Sequence, residues 1–172
     1  MLISSPWILT IVYWLHLMAT VIWIGGVISL NVIFLPSIQK TLTTDQKNLL
    51  YSEIQKRFQP IGWLSLVILS GTGMIQMGAH PSYQGFLNVN NNWAVALFSK
   101  HISILLLIIL MVIMTWGVLP TLKRINLKLS LGKNVTEEEI KKNQHLENFL
   151  IKATFFLSIL ILLLTAWARA AS

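Results

Sequence analysis

The chain has 172 residues, of which 55% are hydrophobic and 11% are charged. Water-soluble domains are about a quarter charged, so this composition excludes an ordinary soluble protein and predicts an integral membrane protein. The net charge is +7, but the charges flank apolar stretches, which favours membrane topology and contact with anionic lipid over nucleic-acid binding. The chain contains no cysteine, which excludes disulfides, thiolate metal sites and covalent c-type haem attachment.

Four apolar stretches are long enough to cross about 30 Å of hydrocarbon as helices. They cover residues 7–35, 61–79, 93–119 and 149–168. The first stretch has no basic region before it and no Ala-x-Ala site after it, so we interpret it as a retained helix rather than a signal peptide. The predicted fold is all-α: an integral membrane four-helix bundle that forms a single domain over residues 1–172.

Lysine and arginine are concentrated in two of the three connections between these stretches. Residues 40–57 and 123–152 contain most of them, whereas the connection 80–92 carries no charge. Because basic connections remain on the cytoplasmic side of a membrane, we predict that both basic segments are inside and that both termini are on the outer side. The first and third helices then enter the membrane from the same side.

Several residues predict where the helices begin and end. Pro36 and Pro120 lack the N–H that continues a helix, and they are predicted to end the first and third helices. Between the first and second helices, the apolar residues of segment 43–58 recur at helical spacing and predict a short amphipathic cytoplasmic helix leading into Pro60. Thr136 starts a capping-box sequence, which predicts a helix that continues into the fourth span.

Two histidines lie inside two different apolar stretches. His16 follows Trp7 by nine residues and His101 follows Trp93 by eight; at a rise of 1.5 Å per residue both lie about 12 to 14 Å from the outer surface. Trp7 and Trp93 are predicted to belong to an aromatic belt at that surface. One histidine in a membrane helix commonly makes an interhelical hydrogen bond, whereas two at matched depth favour a haem or metal site.

A low-spin b-type haem needs two neutral imidazoles and space for the porphyrin ring. His16 and His101 are the candidate axial ligands, and Trp23 lies on the same helix face as His16. Gly71 and Gly73 fall at about the same depth, where they either leave space for the ring or allow close helix packing. The sequence therefore predicts a haem site between the first and third helices.

Cations near the outer surface are the candidate partners of the haem propionates. Lys100 and Arg169 lie towards that side, although a lysine at this position also fits snorkelling to the interface. The remaining histidines, His80 and His145, fall near opposite surfaces, which predicts one haem and no electron transfer across the whole membrane. Every Asp and Glu falls in a segment assigned to the cytoplasmic side, so we expect no buried carboxylate that offers a proton relay or a hard-cation site.

A second interpretation is a copper site. Met74, Met77 and His80 recur at helical spacing, and thioether sulfur together with imidazole suits Cu(I). Methionine is also a common filler of apolar packing. The same three residues therefore also fit a packed helix face.

Two segments resemble the membrane domains of the copper-resistance protein D (CopD-like) family. WLHLMATVIWIGGVISLNVIFLP, residues 14–36, is similar to the first helix of the family, and RFQPIGWLSLVILSGTG, residues 57–73, is similar to the second. Lys100 falls where the third helix of the family carries a lysine. The resemblance covers residues 1–119 and implies a four-helix membrane domain linked to copper uptake or resistance.

The spacing of His16 and Trp23 also resembles the HemJ-type protoporphyrinogen oxidases, which contain haem. The Asn-Glu-x-Pro-like segment that this second family carries near its C-terminus has no counterpart here. If the chain is an enzyme, the resemblance implies a membrane haem oxidoreductase.

Together, these features predict a CopD-like, multi-pass membrane protein that binds one b-type haem and transfers electrons near the outer membrane face. The expected partners are the lipid bilayer, a quinol or an outer-face redox protein, and a larger membrane complex or a second copy of the chain. Copper import or resistance is one alternative function, and an accessory subunit of a larger redox complex is another. The expected location is a bacterial inner membrane.

Overall fold

The structure, a computed structural model, describes residues 5–41, 44–81, 83, 85, 89–132 and 135–171. Within these residues the secondary structure consists of α-helices and two π-helical segments, with no β-strand. In chain order they are α1 (Pro6–Ser29), a first π segment (Leu30–Phe34), α2 (Leu35–Thr41), α3 (Thr44–Gly78), α4 (Asn92–Val112), a second π segment (Ile113–Val118), α5 (Leu119–Ser130) and α6 (Glu137–Ala170).

Four helical stretches in the described part of the chain are long and apolar enough to cross a membrane. They are Pro6–Ile38, Glu53–Gly78, Asn92–Lys128 and Glu137–Ala170. Each overlaps one predicted apolar stretch, which confirms the all-α class and the four candidate membrane helices. Large apolar side chains are exposed on all four, as expected of surfaces that face lipid; examples are Leu17, Val67, Leu105 and Leu163.

The chain divides into two compact units. The first contains Met1–Phe98 together with Trp167–Ser172, and the second contains Ser99–Ala166. In the first unit, α1 packs along α3. His16 belongs to the first unit and His101 to the second.

Helical structure continues past both prolines that the sequence predicts as helix ends, so that prediction is wrong. A π segment ends directly before each Leu-Pro pair: Leu30–Phe34 precedes Pro36, and Ile113–Val118 precedes Pro120. A proline in a regular α-helix clashes with the carbonyl of the preceding turn. A π turn is wider than an α turn, and we attribute the continuation of both helices to the extra room in that turn.

A side chain in each π segment makes the same kind of hydrogen bond, to the carbonyl four residues earlier. In the first, the Asn31 side-chain amide donates to the Val27 carbonyl at 2.9 Å; in the second, the Thr115 hydroxyl donates to the Met111 carbonyl at 2.7 Å. A hydroxyl one residue after each proline also donates to the carbonyl four residues earlier. These bonds join Ser37 to Ile33 at 2.7 Å and Thr121 to Gly117 at 2.8 Å.

The first and third membrane helices match when their residue numbers are shifted by 84. This shift places both hydrogen bonds and the Leu-Pro pair of the first helix on those of the third. It also relates buried positions of the first membrane helix to buried positions of the third: Val12, Ala19, Trp23, Val27 and Leu30 correspond to Ala96, Ser103, Leu107, Met111 and Met114. The first and third membrane helices therefore share one pattern of burial, π turn and proline.

The second membrane helix is longer on its N-terminal side than predicted. α3 runs from Thr44 to Gly78 with Pro60 inside it, so residues 44–58 continue into the span and are not a separate short helix. A proline removes one backbone hydrogen bond, and α3 is long enough on both sides to continue past it. The predicted amphipathic pattern of residues 43–58 depends partly on side chains outside the described ones. α6 begins directly after Thr136 and runs into the fourth span, which confirms the predicted start.

Candidate functional site

Two glycines bring α1 and α3 into close contact. A Cβ atom placed on Gly62 would overlap the six-membered ring of Trp23, and one placed on Gly26 would overlap the ring of Phe58. The two aromatic rings stack with their centroids 6.0 Å apart and an interplanar angle of 23°. Each helix therefore supplies one glycine that receives an aromatic side chain of the other helix, a common role of small residues in membrane helix packing.

Trp23 is buried in this contact, with 4% of its surface exposed. Its indole N–H has no hydrogen-bond partner among the described residues. A buried donor without a partner costs about 1–3 kcal/mol. The stack on Phe58 and the contact with Gly62 hold the ring in this buried position.

His16 lies on the same contact between α1 and α3 and is half-buried. Its Nδ1 atom lies 2.8 Å from the hydroxyl oxygen of Thr72, and that hydroxyl lies 2.6 Å from the carbonyl oxygen of Ile68. A Cβ atom on Gly73 would lie 3.5 Å from Cε1 of the imidazole. We call His16, Thr72 and Gly73 the His16 cluster.

The two glycines predicted at the histidine level have different surroundings. Gly73 adjoins the His16 ring, whereas a Cβ atom on Gly71 would meet nothing within 4 Å. Thr72, between these two glycines, is a site residue that the sequence pattern does not single out. Thr72 was identifiable in principle, because a hydroxyl at the depth of a histidine on a neighbouring membrane helix is a natural hydrogen-bond partner.

The other predicted haem residues are distributed over both units. Lys100 and His101 are half-buried residues of α4 in the second unit. Arg169 is exposed in the last turn of α6 and belongs to the first unit. His16 and His101 belong to different units, and their pairing stays a prediction.

The three candidate copper ligands differ in their surroundings. Met74 is 62% exposed, while Met77 packs against the buried cluster that contains Trp93. The His80 imidazole stacks on Trp93, with ring centroids 4.4 Å apart and an interplanar angle of 13°. Packing explains the position of Met77, and the described residues contain no group of three or more His, Cys, Asp or Glu arranged to hold a metal ion.

Glu147 is a buried acidic residue, with only 8% of its surface exposed. Glu147 lies ten residues into α6, and Asn143 and Leu150 on the same helix are buried as well. Residues four before and three after a position share its helix face, so this face points inward. The sequence predicts a cytoplasmic segment at Glu147 but does not show which helix face the residue occupies.

No family model, curated protein or solved structure shows significant similarity to the chain. The resemblance of residues 1–119 to CopD-like domains therefore stays a prediction that depends on the two quoted segments.

Proposed function

We propose that the chain is a membrane cytochrome b in which His16 is an axial ligand of one b-type haem. The observation that carries this proposal is the hydrogen bond between His16 Nδ1 and the Thr72 hydroxyl, 2.8 Å long. Histidines that bind metals generally use one ring nitrogen for the metal and the other for an orienting hydrogen bond. Thr72 makes such a bond to Nδ1, which supports His16 as a metal ligand.

The residues that surround His16 on α1 and α3 fit a haem beside this histidine. Gly73 places no side chain against the imidazole edge, and the space beside Gly71 is open. Trp23, seven residues further along α1, lies on the same helix face as His16. A bound haem would supply one-electron chemistry. The residues of this chain would hold its iron, orient its ligand and exclude water from it.

The sequence supplies the remaining parts of the proposal. His101 would be the second histidine that holds the iron, and Lys100 and Arg169 would supply cations for the propionates. Electron exchange then takes place near the outer face, with a quinol, a soluble protein or a partner subunit. Co-purification in mild detergent distinguishes a subunit of a larger complex from a chain that works alone.

An absorption spectrum of the purified protein tests the proposal. We expect the reduced-minus-oxidised difference spectrum of a low-spin, bis-histidine b-type haem, and about one iron per chain by metal analysis. His101→Ala is expected to lose the low-spin spectrum. Bound copper without haem would instead favour the alternative site at Met74, Met77 and His80, and a protein with neither would contradict the proposal.

We also propose that the chain lies in a bacterial inner membrane with both termini outside, a topology supported by its basic connections. The chain has no cysteine, so one introduced thiol reports on one site. Val89 and Glu138 are exposed. In spheroplasts, a membrane-impermeant maleimide is expected to label Val89→Cys, and to label Glu138→Cys only after permeabilisation. The reverse labelling would overturn the topology.

A further inference from the structure

We infer that Thr72 is a positioning residue, which fixes His16 in the tautomer that carries its proton on Nδ1 and so makes Nε2 the ligand atom. This inference rests on the proposed function in one respect, the identification of the bound metal as haem iron. The tautomer is a property of the protein without any bound group, and it can be measured separately.

The direction of the hydrogen bonds follows from what each atom can donate. The Thr72 hydroxyl has one hydrogen. A carbonyl oxygen can only accept, and the Ile68 carbonyl is 2.6 Å away, much closer than the Leu69 carbonyl at 3.4 Å. The hydroxyl hydrogen therefore points to Ile68.

The 2.8 Å contact between Thr72 and the ring then needs a hydrogen on the ring nitrogen. His16 Nδ1 must donate, and the hydroxyl oxygen accepts. In a neutral imidazole with its proton on Nδ1, the lone pair is on Nε2. Nε2 is therefore the ring atom that can bind a metal.

The same chain of hydrogen bonds argues against a proton-carrying role for His16 through Thr72. It ends at the Ile68 carbonyl, an ordinary helix carbonyl that also accepts from a side chain four residues later. A carbonyl has no hydrogen to pass on. A proton that left Nδ1 would have no route beyond Thr72, so this bond suits a fixed metal ligand better than a proton relay.

Thr20 provides a matched control. Its hydroxyl donates to the backbone carbonyl of His16 at 2.8 Å, so both threonines bond to His16 but only Thr72 bonds to the ring. Thr72→Val and Thr20→Val replace a hydroxyl by a methyl group in the same way. Thr72→Ser keeps the hydroxyl.

The experiment is ¹⁵N NMR of histidine-labelled protein produced in a haem-deficient host, with the His16 signals assigned by their loss in His16→Gln. We expect a neutral ring with its proton on Nδ1 in the unsubstituted protein and in two variants, Thr20→Val and Thr72→Ser. Thr72→Val is expected to move the proton mainly to Nε2. In haem-loaded protein, Thr72→Val is expected to bind haem about 10- to 100-fold more weakly, the usual loss for a partner of a metal ligand, with Thr20→Val unchanged.

The unsubstituted protein alone can overturn the inference, whatever the stability of the variants. A proton found on Nε2, or on both ring nitrogens, would do so, as would an unchanged tautomer in Thr72→Val. If the Nδ1 tautomer is found and no haem binds, the proposed function fails while this inference holds. If haem binds and the tautomer is different, only this inference fails.

Discussion

The environment of His16 is built from residues that are distant along the chain. The histidine comes from α1, and both Thr72 and Gly73 come from α3. Counting residues from Trp7 gives the depth of His16, because the rise of a helix is fixed. Counting does not give the partner across the helix contact, which depends on how α1 and α3 are rotated about their axes.

Trp93 and Trp7 are both predicted to lie in an outer aromatic belt, but their surroundings differ. Trp93 is 7% exposed and stacks on His80, whereas Trp7 is 79% exposed. We expect Trp93→Ala to lower the free energy of unfolding by about 3–5 kcal/mol, because it leaves a cavity in a packed cluster. Trp7→Ala is expected to change it by less than about 0.5 kcal/mol. Thermal unfolding in one detergent measures both, and equal losses would show that Trp93 is not a core residue.

These residue-level differences show the limit of the sequence pattern. Both tryptophans lie at the start of an apolar run, so the sequence predicts that each one lies near the beginning of a helix. Whether the ring faces lipid or protein depends on neighbours such as His80 that approach from another part of the fold. Glu147 is a second case, since its helix is predictable and its buried face is not.

At the level of elements, the contact of α1 with α3 depends on where the glycines lie. Gly25 and Gly26 are adjacent, but a Cβ atom on Gly26 would overlap Phe58 and one on Gly25 would meet nothing within 4 Å. We expect Gly26→Ala to lower the free energy of unfolding by about 1–3 kcal/mol through overpacking. Gly25→Ala is expected to raise it by about 0.5–1 kcal/mol, because alanine loses less backbone entropy than glycine.

Chemical or thermal unfolding of the two glycine variants, followed by loss of helical circular dichroism, checks this pair. The two substitutions make the same chemical change at neighbouring positions of one helix. A loss of stability in both, or in neither, would mean that the close approach of Phe58 to Gly26 does not limit the helix contact.

The two π segments are the elements that the sequence hides best. A proline is normally the strongest local sign of a helix end, and a π turn has no comparably specific residue pattern. The π turns before Pro36 and Pro120 are recognisable only in the structure. There, side chains such as Asn31 and Thr115 donate to the carbonyl four residues earlier. The similarity between the first and third membrane helices lies in burial and hydrogen bonding, while few residues are identical.

For the whole molecule, the length of the apolar stretches is sufficient to predict the four membrane helices. The structure confirms that each stretch lies in a helix long and apolar enough to cross a membrane. About 20 apolar residues are needed to cross a bilayer, and soluble proteins rarely contain such runs. The pairing of His16 with His101 needs more than the length and direction of the helices. It depends on which faces meet, and neither depth nor charge counting supplies that information.

The haem content of His16→Ala, measured per chain against the unsubstituted protein, tests the central claim most directly. His145 is exposed on α6, so His145→Ala is the matched control. We predict about one haem per chain in the unsubstituted protein and in His145→Ala, and none in His16→Ala. Haem retained in His16→Ala at the level of the control, or no haem in any of the three proteins, would contradict the assignment of His16 as an axial ligand.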